Sequence, residues 1–469
     1  MTEGVGSTGC TSRSPNQLAA EDGPREIGVD MKRNYRVRSL ALTVSVAAMA
    51  SAVGSVEHTA AGQPVAPNRE AAALSGTITV WDPNFNSFEG YTTASEQLDA
   101  AFTDETGVEV EHVAQPFGEY DQLLQAAFSG GSVPDVMLLV PGSQGVLRWT
   151  DGLEELSPDV ADIRDDLSYW ESSNPDLESD GPVYGVPIGT QADVFYYNKQ
   201  LFIDAGLDPE SPPATFDEMI AAADALLEAG IQPFASGNKE GYENQWWLSV
   251  IWAGLFDVDE TQALARGDIK FTDQQFRDVM ETYQQLNDAG YFGDARFSTP
   301  LFPDGVDSFS NGEGAMFLGL SDVAAHYGVF NEALGEENVG IFQAPGIAAE
   351  EAFYLPVTAT YVWSVPTDSD NKDVALAYIR FMASTESQQV HYNVANSFPN
   401  NSNVVLEGAP PQLSQMADDY ESATTFQSAH QVIPGVVLTE WTNVINEVLQ
   451  GRMTIDEGLE QINEVAESV

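Results

Sequence analysis

Apolar and polar positions fall into a readable rhythm from Gly76 onward. The run Thr77-Ile78-Thr79-Val80-Trp81 is β-branched and bounded by Asp82-Pro83, which predicts a strand ending in a loop. A helix over Ala94 to Thr106, closed by Gly107, precedes a second strand over 108–113, and another helix over Tyr120 to Phe128 follows. Behind Pro134-Asp135, the nearly wholly apolar Val136-Met137-Leu138-Leu139-Val140 has the character of a parallel strand buried on both faces. This βαβαβ order predicts an open α/β sheet. Ligands of such sheets bind outside the carboxyl ends of the strands, here in the loops that begin at Asp82, Gln115 and Pro141. Further on, the pattern predicts a strand near 192–197, helices near 216–229 and 245–255, and a strand over 314–320. A last strand near 359–365 and a helical tail to Val469 complete the chain. There is no internal repeat and no linker between two halves, which suits lobes built from interleaved segments.

Upstream the pattern is that of an address. Lys32-Arg33-Asn34-Tyr35-Arg36-Val37-Arg38 is basic, and Leu40 to Val56 is apolar or small without charge, as in a secretory signal peptide. Ala48, Ala50 and Ala52 offer A-x-A cleavage sites, with Ala60 and Ala61 as a later alternative. The run ends at Glu57 after about 17 residues, short of the ~20 a membrane span needs, so cleavage is expected rather than an anchor. Residues 1–30 read as a polar extension, with Met31 as an alternative start, 31–60 as the signal and 61–75 as a linker. Cys10 precedes the apolar run, so there is no lipobox cysteine, and the expected location is periplasmic or extracellular.

Composition narrows the function. The 469 residues, 43% of them hydrophobic, suffice for a large core and more than one domain. Acidic residues outnumber basic ones 72 to 18, a net charge of -54, which excludes nucleic acid and anionic membrane as natural partners. The carboxylates are dispersed rather than run together, like the solvated surfaces of proteins from high-salt habitats. One cysteine permits neither a disulfide nor a thiolate cage, and His58, His112, His326, His391 and His430 lack ligand spacing, so no metal and no cofactor are expected. No GxSxG elbow, P-loop or GxGxxG is present, and with 72 acidic residues pairs such as Asp165-Asp166 or Glu154-Glu155 arise by chance. No catalytic residues are assigned.

Four stretches carry a family resemblance. They are Phe128 to Val136 with its small-residue turn and Pro134-Asp135, and Val183-Tyr184-Gly185-Val186-Pro187-Ile188 running on through Gly189 to Lys199. Phe309 to Gly319 and Asn371 to Gln389 follow, and the tail from Gly451 to Leu459 agrees. Over residues 76–469 the chain resembles the family 1 extracellular solute-binding proteins, which include maltose-binding proteins and other sugar receptors of ABC importers. The resemblance implies a two-lobed periplasmic-binding-protein fold, type II-like, each lobe a mixed, mostly parallel sheet flanked by helices and hinged by two or three crossings. It assigns 76–188 and 361–400 to the first lobe, and 189–360 and 401–469 to the second. The implied protein is a monomer, not an enzyme, that delivers a mono- or oligosaccharide to ABC permease subunits.

A sugar cleft mixes aromatic platforms with planar polar side chains. On that chemistry the candidates in the first lobe are Trp81, Asn84 and Phe85 at the end of the first strand. The resemblance turns the position of Gln191 toward the cleft, and Asp193 shares its strand face. Asn244 and Trp246 come from the composition of Gly241 to Trp247, with Trp247 read as core. Ser321 and Asp322 are implied at the rim, and Tyr361 or Trp363 narrow the cleft where the family has glycine-rich sequence. Three alternatives stay open: a polyamine receptor using Asp193 and Asp322, a ferric-ion receptor using Tyr196-Tyr197, and a secreted glycosidase.

Overall fold

The computed structural model describes residues 74–87, 89–175, 180–253, 255–256, 258–321, 326–343, 354–422 and 424–468. The signal segment, the extension before it and Asp322 lie outside the described residues. No helix of the described residues is long and apolar enough to cross a membrane.

Among the described residues ten strands make two sheets. They are β1 (Gly76–Asp82), β2 (Val108–Ala114), β3 (Val136–Leu139), β4 (Val186–Ile188), β5 (Gln191–Asn198), β6 (Met316–Leu320), β7 (Val339–Gln343), β8 (Tyr354–Thr358), β9 (Tyr361–Ser364) and β10 (Thr424–Phe426). The first sheet runs β2-β1-β3-β9-β4, with β1 parallel to β2 and β3, and β9 antiparallel to β3 and β4. Of the apolar run that predicted β3, Val136 to Leu139 are buried and Val140 half-buried, and the strand's period of two serves both faces. Val136 and Leu138 pack with Ile78, Val80, Leu98 and Phe102, while Met137 and Leu139 pack with Tyr120, Leu124 and Trp149. The helix Glu89–Thr106 supplies Tyr91, Leu98 and Phe102 from one face and ends where Gly107 turns at a φ of 74°.

The second sheet runs β10-β8-β5-β6, with β7 also on β5. It differs from a mostly parallel ladder, because β5 is antiparallel to β6, β7 and β8, and only β10 and β8 pair in parallel. The reason is directional. β5 enters this lobe from the crossing, while β6, β7 and β8 run back toward it. Behind the sheet the core is aromatic: Trp247 is fully buried, stacks on Tyr283 at 5.8 Å and meets Phe234 edge-on at 5.3 Å. Thr215 caps the helix Phe216–Glu228 through Glu218, and Thr454 with Glu457 forms a capping box on the last helix, Ile455–Ala466. The tail is not helical throughout. β10 and the short helix Ala429–Val432 interrupt it, because Thr424-Thr425-Phe426 is β-prone and Pro434 bars continuation.

Candidate functional site

The two sheets meet where their strands turn toward each other. The chain crosses between them at Gly189-Thr190 and again at Ala359-Thr360, and these crossings are bonded together. Thr360 N donates to Ile188 O at 3.1 Å, and Thr190 N to Phe398 O at 2.7 Å. Thr190 Oγ1 adds a bond to Pro399 O at 2.9 Å, tying in a third connecting segment. This is a short, backbone-defined hinge.

On the first-lobe side, Asp82 organises the loop after β1. Its Oδ1 accepts from the amides of Asn84 at 2.7 Å and Phe85 at 3.3 Å, and its Oδ2 from Tyr91 Oη at 2.7 Å. His112 bridges Asp82 at 3.2 Å and Asp99 at 2.8 Å, and its ring stacks on Phe85 at 4.1 Å. Burial works against a charged imidazole, but the hydrogen bonds and charges of Asp82 and Asp99 outweigh it and hold His112 up at about 9. The imidazolium thus fixes Phe85 from beneath. Asn84 is buried, accepts from Tyr361 Oη at 2.9 Å, and has no hydrogen-bond partner for Nδ2 among the described residues. Trp81 is half-buried and packs with Tyr184 against the Tyr120 and Val362 cluster.

On the second-lobe side, Gln191 opens β5 opposite Thr358, half-buried at the crossing. Asp193, two residues on, is almost fully buried beside Leu320. Ser321 accepts from Ala192 N at 2.8 Å and pairs with Tyr420 Oη at 2.8 Å, so it fastens the crossing to the helix Pro411–Ser422. Trp246 is buried and meets the exposed Phe302 edge-on at 6.2 Å.

Two sequence candidates sit in packed interiors. Asn244 spends its whole amide inside the second lobe. Its Oδ1 accepts from Asn238 at 2.7 Å and Tyr283 at 3.0 Å, and its Nδ2 donates to Asn446 at 2.9 Å. Beside it, Arg296 reaches Glu243 at 3.3 Å and lies 4.0 Å over the Phe292 ring. This network holds the Gly241 turn, where a φ of 84° and a close approach to Thr442 both require glycine. Trp363 is fully buried in the first-lobe core, edge-on to Tyr378 at 6.1 Å, because it occupies the β9 face opposite Val362. Tyr361, on the same face as Trp363 but at the crossing end, reaches Asn84.

Several residues at the lobe contact escaped the sequence reading. Ser143 Oγ lies 2.7 Å from Gln431 O and 2.6 Å from Ile433 O, and Gln144 Nε2 donates to His430 O. Gln427 and Gln431 are both buried. The signal that was available is the β-prone Thr424-Thr425-Phe426 followed by the amide-rich Gln427 to Gln431. Among the described strand ends and crossings (81–85, 140–145, 189–193, 320–321, 358–361 and 427–433) there is no Lys or Arg. His430 is the basic side chain there, and burial pushes it down to about 4, so it is neutral. The carboxylates of these stretches are Asp82, engaged by His112, Tyr91 and two backbone amides, and the buried Asp193.

Residues 97–422, more than half of the chain, match the family model described as bacterial extracellular solute-binding protein. The chain belongs to this family. Among curated relatives, this solute-binding protein is 25% identical over 285 residues to an uncharacterised ABC transporter extracellular-binding protein of Pyrococcus horikoshii, covering 60% of this chain and 62% of the relative. It is 28% identical over 268 residues to the sn-glycerol-3-phosphate-binding periplasmic protein UgpB of Escherichia coli, covering 49% and 58%. The matched region therefore spans about three fifths of these relatives. A solved chitin oligosaccharide binding protein superposes with a TM-score of 0.74 at 21% identity, covering 84% of this chain and 98% of that one. Its fold is the two-lobed one that the motifs imply.

Proposed function

We propose that this protein is the solute receptor of an ABC importer, that it holds a neutral mono- or short oligosaccharide between its lobes, and that it catalyses no reaction. The observation that carries this reading is the pairing of a buried, half-satisfied amide at Asn84 with the Phe85 and Trp81 rings, on a site edge without Lys or Arg among the described residues. Sugar hydroxyls both donate and accept, and an amide meets both needs. Ring faces stack on aromatic side chains. UgpB and the chitin oligosaccharide binding protein bracket the choice between a phosphorylated polyol and a neutral saccharide. A phosphate calls for Arg, Lys or a helix N-terminus. The absence of Lys and Arg from the described strand ends favours the neutral ligand.

In this reading the protein is exported, acts as a monomer in the periplasm or outside the cell, and presents its closed form to the permease. The dispersed acidic surface is a solubility device for concentrated salt. A thermal-shift panel tests the assignment with maltose, diacetylchitobiose, galactose, glycerol 3-phosphate, spermidine and Fe(III), since a ligand specific to the folded state raises the melting temperature. A rise with a saccharide alone is expected. A rise only with glycerol 3-phosphate, spermidine or Fe(III) rejects the carbohydrate, and hydrolysis of the saccharide rejects the non-enzymatic reading.

A further inference from the structure

The lobe contact and the unpartnered amides occur on one short segment. Gln427 follows β10 directly and is 7% exposed, yet neither its Nε2 nor its Oε1 has a hydrogen-bond partner among the described residues. Gln431 is 2% exposed and its Oε1 is likewise without one. Buried amides are normally satisfied, and each unmade bond destabilises the protein that contains it. β10 is parallel to β8, with Phe426 opposite Pro356, so Gln427 emerges at the same end of the sheet as Thr358 and Gln191. That end is the crossing between the lobes. From His430 to Ile433 the backbone faces the first lobe, where His430 O, Gln431 O and Ile433 O meet Gln144 and Ser143. The approach is close. A Cβ on Gly142 would lie 2.4 Å from Gln431 O, and the φ of 68° there also requires glycine. On its other side the segment is anchored through His430 Nδ1, 3.0 Å from Ser249 Oγ.

We infer that residues 427–433 form a latch that reads the solute: Gln427 and Gln431 give their amides to its hydroxyl groups, while the backbone from His430 to Ile433 fastens to Ser143 and Gln144 across the cleft. The latch rests on the receptor reading above and adds to it where recognition is converted into closure. A bound solute orders the segment through the glutamines, and an ordered segment presents its three carbonyls in register for the first lobe. Solutes that do not reach both glutamines bind without completing the closure.

The test uses the mature full-length chain with maltose, diacetylchitobiose and xylobiose as probes, calorimetry for affinity and small-angle scattering for compaction. Wild type is expected to bind a probe and to contract. Gln427→Leu and Gln431→Leu should each weaken that probe about tenfold, the scale of a lost hydrogen bond that leaves a ligand hydroxyl unpaired. Both should melt at a higher temperature than wild type without the probe, because a buried, unpartnered amide has been removed. A merely structural glutamine would show the reverse. Ser143→Ala should bind the probe and contract less. If Gln427→Leu does not fold, Gln427→Met of similar volume replaces it. Wild-type affinity in both folded glutamine variants overturns the latch and leaves the receptor standing. No binding of any probe by wild type overturns the carbohydrate receptor, and the latch with it.

Discussion

His112 offers a quantitative test of how the first lobe holds its ligand loop. The side chain is 4% exposed and bridges Asp82 and Asp99, which are 0% and 13% exposed. Its pKa is raised from the ordinary 6.5 to about 9, so the folded protein binds this proton more tightly than the unfolded chain does. The linked stability is fully present below pH 6.5 and is lost as pH rises through about 9. At 1.36 kcal/mol per pH unit, that interval corresponds to about 3 kcal/mol. Replacing the ring by His112→Gln removes the charge and leaves a buried carboxylate facing another, a change on the scale of about 3–5 kcal/mol. The assay is urea unfolding of wild type and variant at pH 6, 7.5 and 9.5. Subtracting the two free energies cancels the shared titrating groups that do not touch His112, and both Asp82 and Asp99 are fully ionised across this range in the reference state, the unfolded chain. The difference should be largest at pH 6 and shrink by about 3 kcal/mol by pH 9.5. A difference that is flat across this range would falsify the imidazolium bridge. Because Phe85 stacks on this ring, saccharide affinity should decline over the same interval.

Three further outcomes are expected. His391 and His430 are pushed down to about 4 by burial, so each contributes stability that is present above pH 6.5 and lost as pH falls toward 4; acid unfolding curves of His391→Gln and His430→Gln should be shallower there than that of wild type. Asn84→Ala removes the acceptor of the Tyr361 hydroxyl and the free amide together, and should lower saccharide affinity about tenfold by calorimetry, with Tyr361→Phe costing less. Asn244→Leu should destabilise by about 1–3 kcal/mol in urea unfolding, because it takes one hydrogen-bond partner each from Asn238, Tyr283 and Asn446, whereas a pure ligand contact would change affinity with little change in stability.

How far the sequence could be read depended on the range of the interaction. β1, β3 and β5 were legible because burial on one or both faces imposes a local apolar pattern, and the crossing near Gly189 because its motif is contiguous. Asn244 looked like a cleft residue in its segment. Its true setting depends on Tyr283, Thr442 and Asn446, as far as 202 residues away, which no local pattern displays. Trp363 was ambiguous for a related reason. Core clusters cover both faces of β9, with Tyr361 and Trp363 in one and Val362 in the other, so its residues are buried whichever way they point and composition alone cannot distinguish core from cleft. Gln427 and Gln431 carried no periodic signal, since they lie on a short irregular segment whose contact with the first lobe runs through backbone carbonyls that any side chain could present.

The position of β9 also governs the order in which the molecule can be assembled. Among the described strands β4 pairs in the first sheet only with β9, which is synthesised after β5 to β8 of the other lobe. A nascent chain that has reached Asn198 therefore holds β1, β2 and β3 but lacks the strand that joins them to β4. The first lobe closes only after Ser364 has been made, and its helix Thr385–Ala395 docks later still against Glu89–Thr106. Such long-range pairing delays folding. The first lobe therefore stays incomplete while the strands β5 to β8 are being synthesised, and it cannot be cut out as one continuous piece.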